Sequence, residues 1–212
     1  MLWTLDDASH DPVRIKCPIA DATFGWNPKG DRIAVARRCR FADDTLNANE
    51  AQIMELLRPA ESAPRGIRVH GVCGRPSWSP DGRRIAMVRP AITAAPDIVV
   101  IDVMTGNVVS VAHGRSPAWS PTGDWLGYVA LEREEVDAQT GAQEIRRVSS
   151  DGQRDERIRY VSGYFASNSG PIRVRVDRLV WAPDARAIAL DVGNDIWIVS
   201  ATDSTLRPIV LH

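Results

Sequence analysis

The apolar positions of this chain fall in short runs separated by turns, with little of the three-to-four spacing that marks a surface helix. The clearest stretch reads as four strands. Arg75-Pro76-Ser77-Trp78 is a short strand ending on an aromatic residue, and Ser79-Pro80-Asp81-Gly82 turns the chain. Proline presets φ at about −65° for the second turn position, aspartate suits the third, and glycine accepts the positive φ that follows. Arg84-Ile85-Ala86-Met87-Val88-Arg89 comes next, apolar enough to be covered on both faces. Asp97-Ile98-Val99-Val100-Ile101-Asp102 is rich in β-branched residues. Met104-Thr105-Gly106-Asn107 turns again, and Val108-Val109-Ser110-Val111-Ala112 returns.

The pattern recurs. The turns Trp26-Asn27-Pro28-Lys29-Gly30, Trp119-Ser120-Pro121-Thr122-Gly123 and Trp181-Ala182-Pro183-Asp184-Ala185 repeat Trp78, Pro80 and Gly82. Ile33-Ala34-Val35, Leu126-Gly127-Tyr128 and Ile188-Ala189-Leu190 follow them as Ile85-Ala86-Met87 follows Gly82. Spacings between the tryptophans are 52, 41 and 62 residues. A period near forty with four strands per unit predicts an all-β domain of four-stranded antiparallel blades, a β-propeller or a related array. Each tryptophan is expected to bury roughly 150–250 Å² between neighbouring blades. The small residues Ala34, Ala86, Gly127 and Ala189 suit the crowded inner end. Ala185 stands where the other turns have glycine, which predicts an altered or strained turn.

This register divides a single domain, residues 1–212, into blades at about 21–73, 74–114, 115–163 and 171–212. The segments Leu2-Trp3-Thr4-Leu5-Asp6 and Val13-Arg14-Ile15-Lys16-Cys17 read as half a blade at 1–20. Four blades and a half leave two alternatives open: a small ring closed by itself, or a set completed by another polypeptide or a second copy. Unclosed blades expose edges and apolar faces, which invites association.

Three stretches depart from the template. Asn49 to Leu57 carries apolar residues at helical spacing with Asn47 as a cap, whereas the register makes Gln52 to Leu57 a third strand. We follow the register, because the blade needs that strand to cover its neighbour. Glu132-Arg133-Glu134-Glu135 and Glu144-Ile145-Arg146-Arg147 frame a turn near Asp137 to Gly141 and read as a solvated β-ribbon with cross-strand ion pairs. Arg173 to Trp181 alternates as a half-exposed strand.

The turn Trp78-Ser79-Pro80-Asp81-Gly82, the following Arg83-Arg84-Ile85-Ala86 and the downstream Asp97-Ile98-Val99-Val100-Ile101-Asp102 resemble the TolB-type propeller repeat. That repeat is related to WD-type repeats and occurs in propeller domains of prolyl-oligopeptidase-like enzymes. The resemblance covers almost the whole chain and is strongest in the second and third units. It implies a propeller that binds proteins or peptides, without naming a partner.

Composition narrows the rest. Hydrophobic residues make up 44%, compatible with a normal core, and a net charge of −1 argues against a general nucleic-acid binder. Cys17, Cys39 and Cys73 show no metal spacing and leave at least one thiol unpaired, an odd count that points to a reducing compartment. Met1-Leu2-Trp3-Thr4-Leu5 has neither a basic leader nor a long apolar core, and no stretch is long enough for a membrane-spanning segment. The expectation is a cytoplasmic protein, with an extracytoplasmic one as the alternative if a leader has been removed.

No nucleophile elbow, phosphate loop or zinc-type spacing is present, so the chain is expected to be no enzyme and to need no cofactor or metal. Candidate binding residues come from the blade connections. His70-Gly71 and His113-Gly114 precede their tryptophans at similar positions, followed by Arg75 and Arg115. Converging near the central opening, they would hold an acidic peptide end or another anion. Tyr164 and Phe165 are interface anchors if exposed, and pins for a long connection if buried. The leading reading is a non-catalytic protein-interaction module, its partner another protein or a second copy. The alternatives are an accessory propeller of a prolyl-oligopeptidase-like hydrolase, and a sugar-processing propeller with carboxylates around the channel.

Overall fold

The computed structural model describes residues 2–5, 12–15, 22–37, 39, 50–55, 66–91, 95–130, 143–161, 164–167, 170–173, 176–192, 195–202 and 206–209. Every regular element among them is a strand. The first blade is β3 (Ala22–Trp26), β4 (Arg32–Arg37), β5 (Glu50–Glu55) and β6 (Gly66–His70), paired antiparallel in that order. The second is β7 (Cys73–Trp78), β8 (Arg84–Arg89), β9 (Asp97–Asp102) and the first half of β10 (Val108–Trp119). The second half of β10 opens the third blade, with β11 (Trp125–Ala130), β12 (Gln143–Ser149) and β13 (Asp155–Val161). β16 (Val176–Trp181), β17 (Ala187–Val192), β18 (Asp195–Ser200) and β19 (Leu206–Ile209) form the fourth. Two hairpins stand as separate two-stranded sheets: β1 (Leu2–Leu5) with β2 (Pro12–Ile15), and β14 (Tyr164–Ser167) with β15 (Gly170–Arg173).

The conflict in the first blade resolves as a strand. Ile33 pairs with Met54 and Ile53 with Ile67, so the stretch of helical spacing is held in the register of a third strand. Tertiary pairing overrides a local pattern that no helix-packing partner supports. Between the second and third blades the chain does not break. β10 serves both, with register shifts at Ser110/Ala112 and Arg115/Ala118 that let one strand twist from one sheet to the next. The ribbon tip, residues 131–142, lies outside the described residues. At the described base of the ribbon, ion pairs link β12 with β13, among them Arg146 with Asp155 at 3.0 Å and Arg147 with Glu156 at 2.6 Å.

Blades bury alternate faces of each strand, and three apolar cores are three blade interfaces. Ala34, Ala36 and Val69 meet Trp78, Ile85, Met87 and Ile101 between the first and second blades. Cys73, Ala86, Val88 and Ile98 meet Trp119, Leu126 and Tyr128 between the second and third. Ala118, Val129 and Ile145 meet Trp181, Ile188 and Leu190 between the third and fourth. Each tryptophan therefore reaches back onto the preceding blade. Its seat there is a cross-strand pair of small residues: Gly25↔Ala34, Ser77↔Ala86 and Ala118↔Gly127. A methyl group on Gly127 would lie 3.0 Å from Trp181 Nε1, so the indole packs where a side chain would otherwise be.

Polar groups fix the same contacts. The indole N–H groups of Trp78 and Trp181 donate to the carbonyls of Gly25 and Ala118, each at 2.9 Å. At the middle interface the backbone N–H of Trp119 donates to Ser77 Oγ at 2.9 Å, while its buried Nε1 has no hydrogen-bond partner among the described residues. Replacing one indole by another apolar ring therefore has unequal costs at the three seats.

The turns close as the sequence requires. Gly30, Gly82 and Gly123 donate back to Asn27, Ser79 and Ser120 at 2.9–3.0 Å and hold φ of 69–79°. In the second turn the Ser79 hydroxyl donates to Asp81 at 2.6 Å and accepts from the Arg84 N–H at 2.9 Å. That hydroxyl is the main reason the Asp81 carboxyl is held below the ordinary carboxylate range. The turn at Ser149 to Gly152 has the same form, with no tryptophan before it to mark it in the sequence.

Ala185 makes the same bond to Ala182 at 2.9 Å with φ of 59°. The strain expected there is thus real, because a Cβ in this region costs roughly 1–2 kcal/mol. Ala185→Gly should raise stability by about 0.5–1 kcal/mol, since the unfolded chain gains freedom that offsets part of the relief. The check is a higher urea midpoint at unchanged slope; a lower midpoint would show that the left-handed turn carries no strain.

Candidate functional site: the groove between the inner strands

The inner strand of each blade, β3, β7, the second half of β10 and β16, walls one groove with a cavity of about 1060 Å³. At one end lie the turn prolines Pro28, Pro80 and Pro121. The other end is polar, and the repeat register explains how. Counting back three residues from each tryptophan gives Thr23, Arg75, Ser116 and Arg178, all in the groove lining.

These four positions split into two roles. Thr23 Oγ1 donates to the Gly74 carbonyl at 2.8 Å and Ser116 Oγ to the Asp177 carbonyl at 3.1 Å, so the hydroxyls staple the next blade's inner strand. Ser116 holds φ of 55° at the β10 bulge, which turns its hydroxyl to that contact. Arg75 and Arg178 are exposed at the rim. Arg115, one residue ahead of Ser116, is 9% exposed and donates from Nη2 to Gln143 Oε1 at 2.8 Å. The same oxygen accepts the Val176 N–H at 2.9 Å, which ties the third blade to the start of β16. A desolvated guanidinium held by a neutral amide keeps its charge and contributes positive potential to the groove.

The lining also holds two carboxylates, Asp177 and Asp191, both from the fourth blade, and Asp191 pairs across the strands with Arg178. Among the described residues no group of three His, Cys, Asp or Glu is placed to hold a metal ion. Thr23 to Gly74 is backed by a covalent link. Cys39, half-buried in the lining, forms a disulfide with Cys73 of β7, with Cα atoms 5.0 Å apart. The odd cysteine count had pointed to reduced thiols; the third, Cys17, lies outside the described residues.

The predicted binding residues do not gather as one cluster. Arg75 and Arg115 line the groove, and neither histidine does. His70 is exposed at the end of β6. The His113 side chain is 74% exposed and pairs through Nδ1 with Asp97 at 2.8 Å, across strands β10 and β9. Tyr164 and Phe165 pair with Arg173 and Ile172 in the β14–β15 hairpin, and their side chains lie outside the described residues. Arg178, Ser116 and Asp191 were not singled out from sequence. Their signal was the register itself, because Arg178 repeats the position of Arg75, but the connection before β16 lacks the histidine-glycine marker.

No family model matches the sequence, and no curated protein matches it. Solved structures do resemble the fold. TolB from Acinetobacter baumannii superposes with a TM-score of 0.58 at 17% identity over 89% of this chain and 43% of its own. An oligogalacturonate lyase in complex with manganese gives 0.65 at 13% identity, over 99% of this chain and 59% of its own. The β-propeller domain of the Trilobed protease from Pyrococcus furiosus, which has an open velcro topology, gives 0.52 at 20% identity over 90% and 57%. The chain thus spans about half the length of these structures, and the fold is a TolB-like propeller, here a row of four blades.

Proposed function

We propose that this chain is a non-catalytic interaction module that holds an extended segment of another protein along the groove, with acidic groups of that segment at the arginine rim. The observation that carries this reading is the lining. Three arginines from three successive blades, Arg75 and Arg178 exposed and Arg115 buried, share the lining with two aspartates of the fourth blade. Guanidinium groups bind carboxylates in bidentate fashion, and a cavity of about 1060 Å³ has room for several residues of chain.

A second reading is the accessory propeller of a hydrolase, favoured by the likeness to the protease propeller domain. There the groove would pass peptides to catalytic residues on a separate domain. A hydrolase domain encoded beside this one distinguishes it. The Cys39–Cys73 bond supports an oxidising, extracytoplasmic setting over the cytoplasmic one expected from the cysteine count.

The test is fluorescence anisotropy with labelled hexaglutamate and hexalysine peptides at low and physiological salt. Arg75→Gln with Arg178→Gln is the informative variant, because both side chains are exposed, whereas Arg115 supports the fold through Gln143. The expected result is preference for hexaglutamate and at least a roughly tenfold loss in the double variant. Equal binding of the two peptides, or an unchanged double variant, removes the acidic-segment reading.

A further inference from the structure

The groove changes character along its length. Its five charged lining residues, Arg75, Arg115, Asp177, Arg178 and Asp191, all lie at or beside the level three residues before each tryptophan. The tryptophan end of the lining holds no charged side chain. It presents the exposed turn prolines Pro28, Pro80 and Pro121, together with Trp26 of the first blade and Val180 of the fourth. Trp26 is 43% exposed and Val180 44%, whereas Trp78, Trp119 and Trp181 are 7–9% exposed in their seats. Apolar surface left open in a cavity beside a few convergent charges is the usual make-up of a binding site.

The inner strands also restrict the conformation of what they hold. β3, β7 and β16 each end a sheet and the second half of β10 pairs only with β11, so every inner strand has one edge without a ladder partner among the described strands. That edge is a poor template for a further strand. Pro76 in β7 and Pro117 in β10, both in the lining, have no N–H to give, and register shifts interrupt both strands. An occupant is therefore held by its side chains. Polyproline II is the extended form that needs no ladder, with three residues per turn and a rise of about 3.1 Å. Residues three apart then share one face at a separation of about 9 Å. The charged level and the tryptophan level of the groove are also three residues apart, about 10 Å along a strand.

We infer that the groove selects a polyproline-II segment carrying a carboxylate and, three residues away, a bulky apolar side chain. The carboxylate meets the exposed guanidinium groups of Arg75 and Arg178, and the apolar side chain packs against Trp26 and Val180. This rests on the acidic-segment reading and adds to it a second recognition element at a fixed spacing. Arginines alone accept any acidic chain. Trp26 makes the choice among acidic chains, because a segment without the apolar residue leaves its ring uncovered.

Three labelled, capped peptides of one composition test the spacing by fluorescence anisotropy. Glu-Pro-Pro-Leu and Leu-Pro-Pro-Glu, each flanked by two glycines on either side, place acid and leucine three apart in the two chain directions. Glu-Leu-Pro-Pro in the same flanks makes them neighbours. One of the first two should bind at least roughly fivefold more tightly than the third. Trp26→Ala, with far-ultraviolet circular dichroism unchanged, should abolish that preference while hexaglutamate still binds better than hexalysine. Val180→Thr keeps the side-chain shape, adds a hydroxyl to the opposite wall and should reduce the preference in the same way. Equal binding of the three peptides alongside a hexaglutamate preference overturns this inference and leaves the acidic-segment reading standing. A spacing preference that survives both substitutions overturns the assignment to Trp26 and Val180. Loss of the hexaglutamate preference in the unsubstituted chain removes both readings.

Discussion

Trp181→Ala is expected to destabilise the chain by about 3–5 kcal/mol, enough to unfold the fourth blade from the third. The indole fills the centre of their shared core among Val129, Ile145, Leu179, Ile188 and Leu190. Its removal opens a cavity over Gly127 and also leaves the Ala118 carbonyl without its 2.9 Å donor. That buried acceptor alone costs about 1–3 kcal/mol. Trp181→Phe separates the two effects by keeping most of the apolar area and losing the bond. Trp119→Phe should cost less than Trp181→Phe, since the Trp119 Nε1 has no partner to lose. Trp26→Ala should cost clearly less than Trp181→Ala, since the Trp26 ring is 43% exposed. Urea unfolding of the four variants tests the order. Equal losses at Trp26 and Trp181 would contradict the seat geometry.

Loss of the Cys39–Cys73 bond is expected to cost about 3–4 kcal/mol. The bond spans 34 residues, and closing a loop of that length in the unfolded chain removes entropy of this size. It also joins the segment after β4 of the first blade to the inner strand of the second, beside Gly74, whose added methyl group would lie 3.3 Å from the Cys39 sulfur. Reduction should therefore loosen the groove wall as well as the fold. Thiol titration of the unfolded, unreduced chain should find one free thiol of the three cysteines. The urea midpoint should fall on reduction, and Cys39→Ser with Cys73→Ser should reproduce the fall without reductant. An unchanged midpoint would mean that the two thiols are not linked in solution.

The blades were legible because their signals are local. A tryptophan, a proline turn and a small residue sit within about a dozen positions, and the turn chemistry forces the hairpin regardless of what lies beyond. β8 and β9 fall on the runs read from sequence, Arg84–Arg89 and Asp97–Asp102. What spacing cannot show is which blade a side chain faces. That Trp78 reaches back to Gly25 is a contact across 53 residues. The disulfide escaped for the same reason, since Cys39 follows a blade strand and Cys73 opens the next blade. Continuity of β10 was hidden because His113-Gly114-Arg115 reads as a connection, yet its bulge lets the strand run on.

The candidate site was half legible. Arg75 and Arg115 were found through the histidines beside them, and those histidines lie outside the groove. The split follows the strands: His70 ends β6 and His113 pairs with Asp97 of β9 in the second blade, whereas Arg75 lies on β7 and Arg115 on the half of β10 that pairs with β11, both inner strands. Arg178 was recoverable from the register alone.

The central claim is that the second, third and fourth blades are each fastened to the one before by a seated tryptophan. Hydrogen exchange of the indole N–H groups, resolved by nitrogen-15 spectra of tryptophan-labelled protein, tests it most directly. The account predicts slow exchange for Trp78 and Trp181, whose indole N–H groups are bonded in their seats, and faster exchange for the more exposed Trp26. A Trp181 indole exchanging as fast as Trp26 would contradict it.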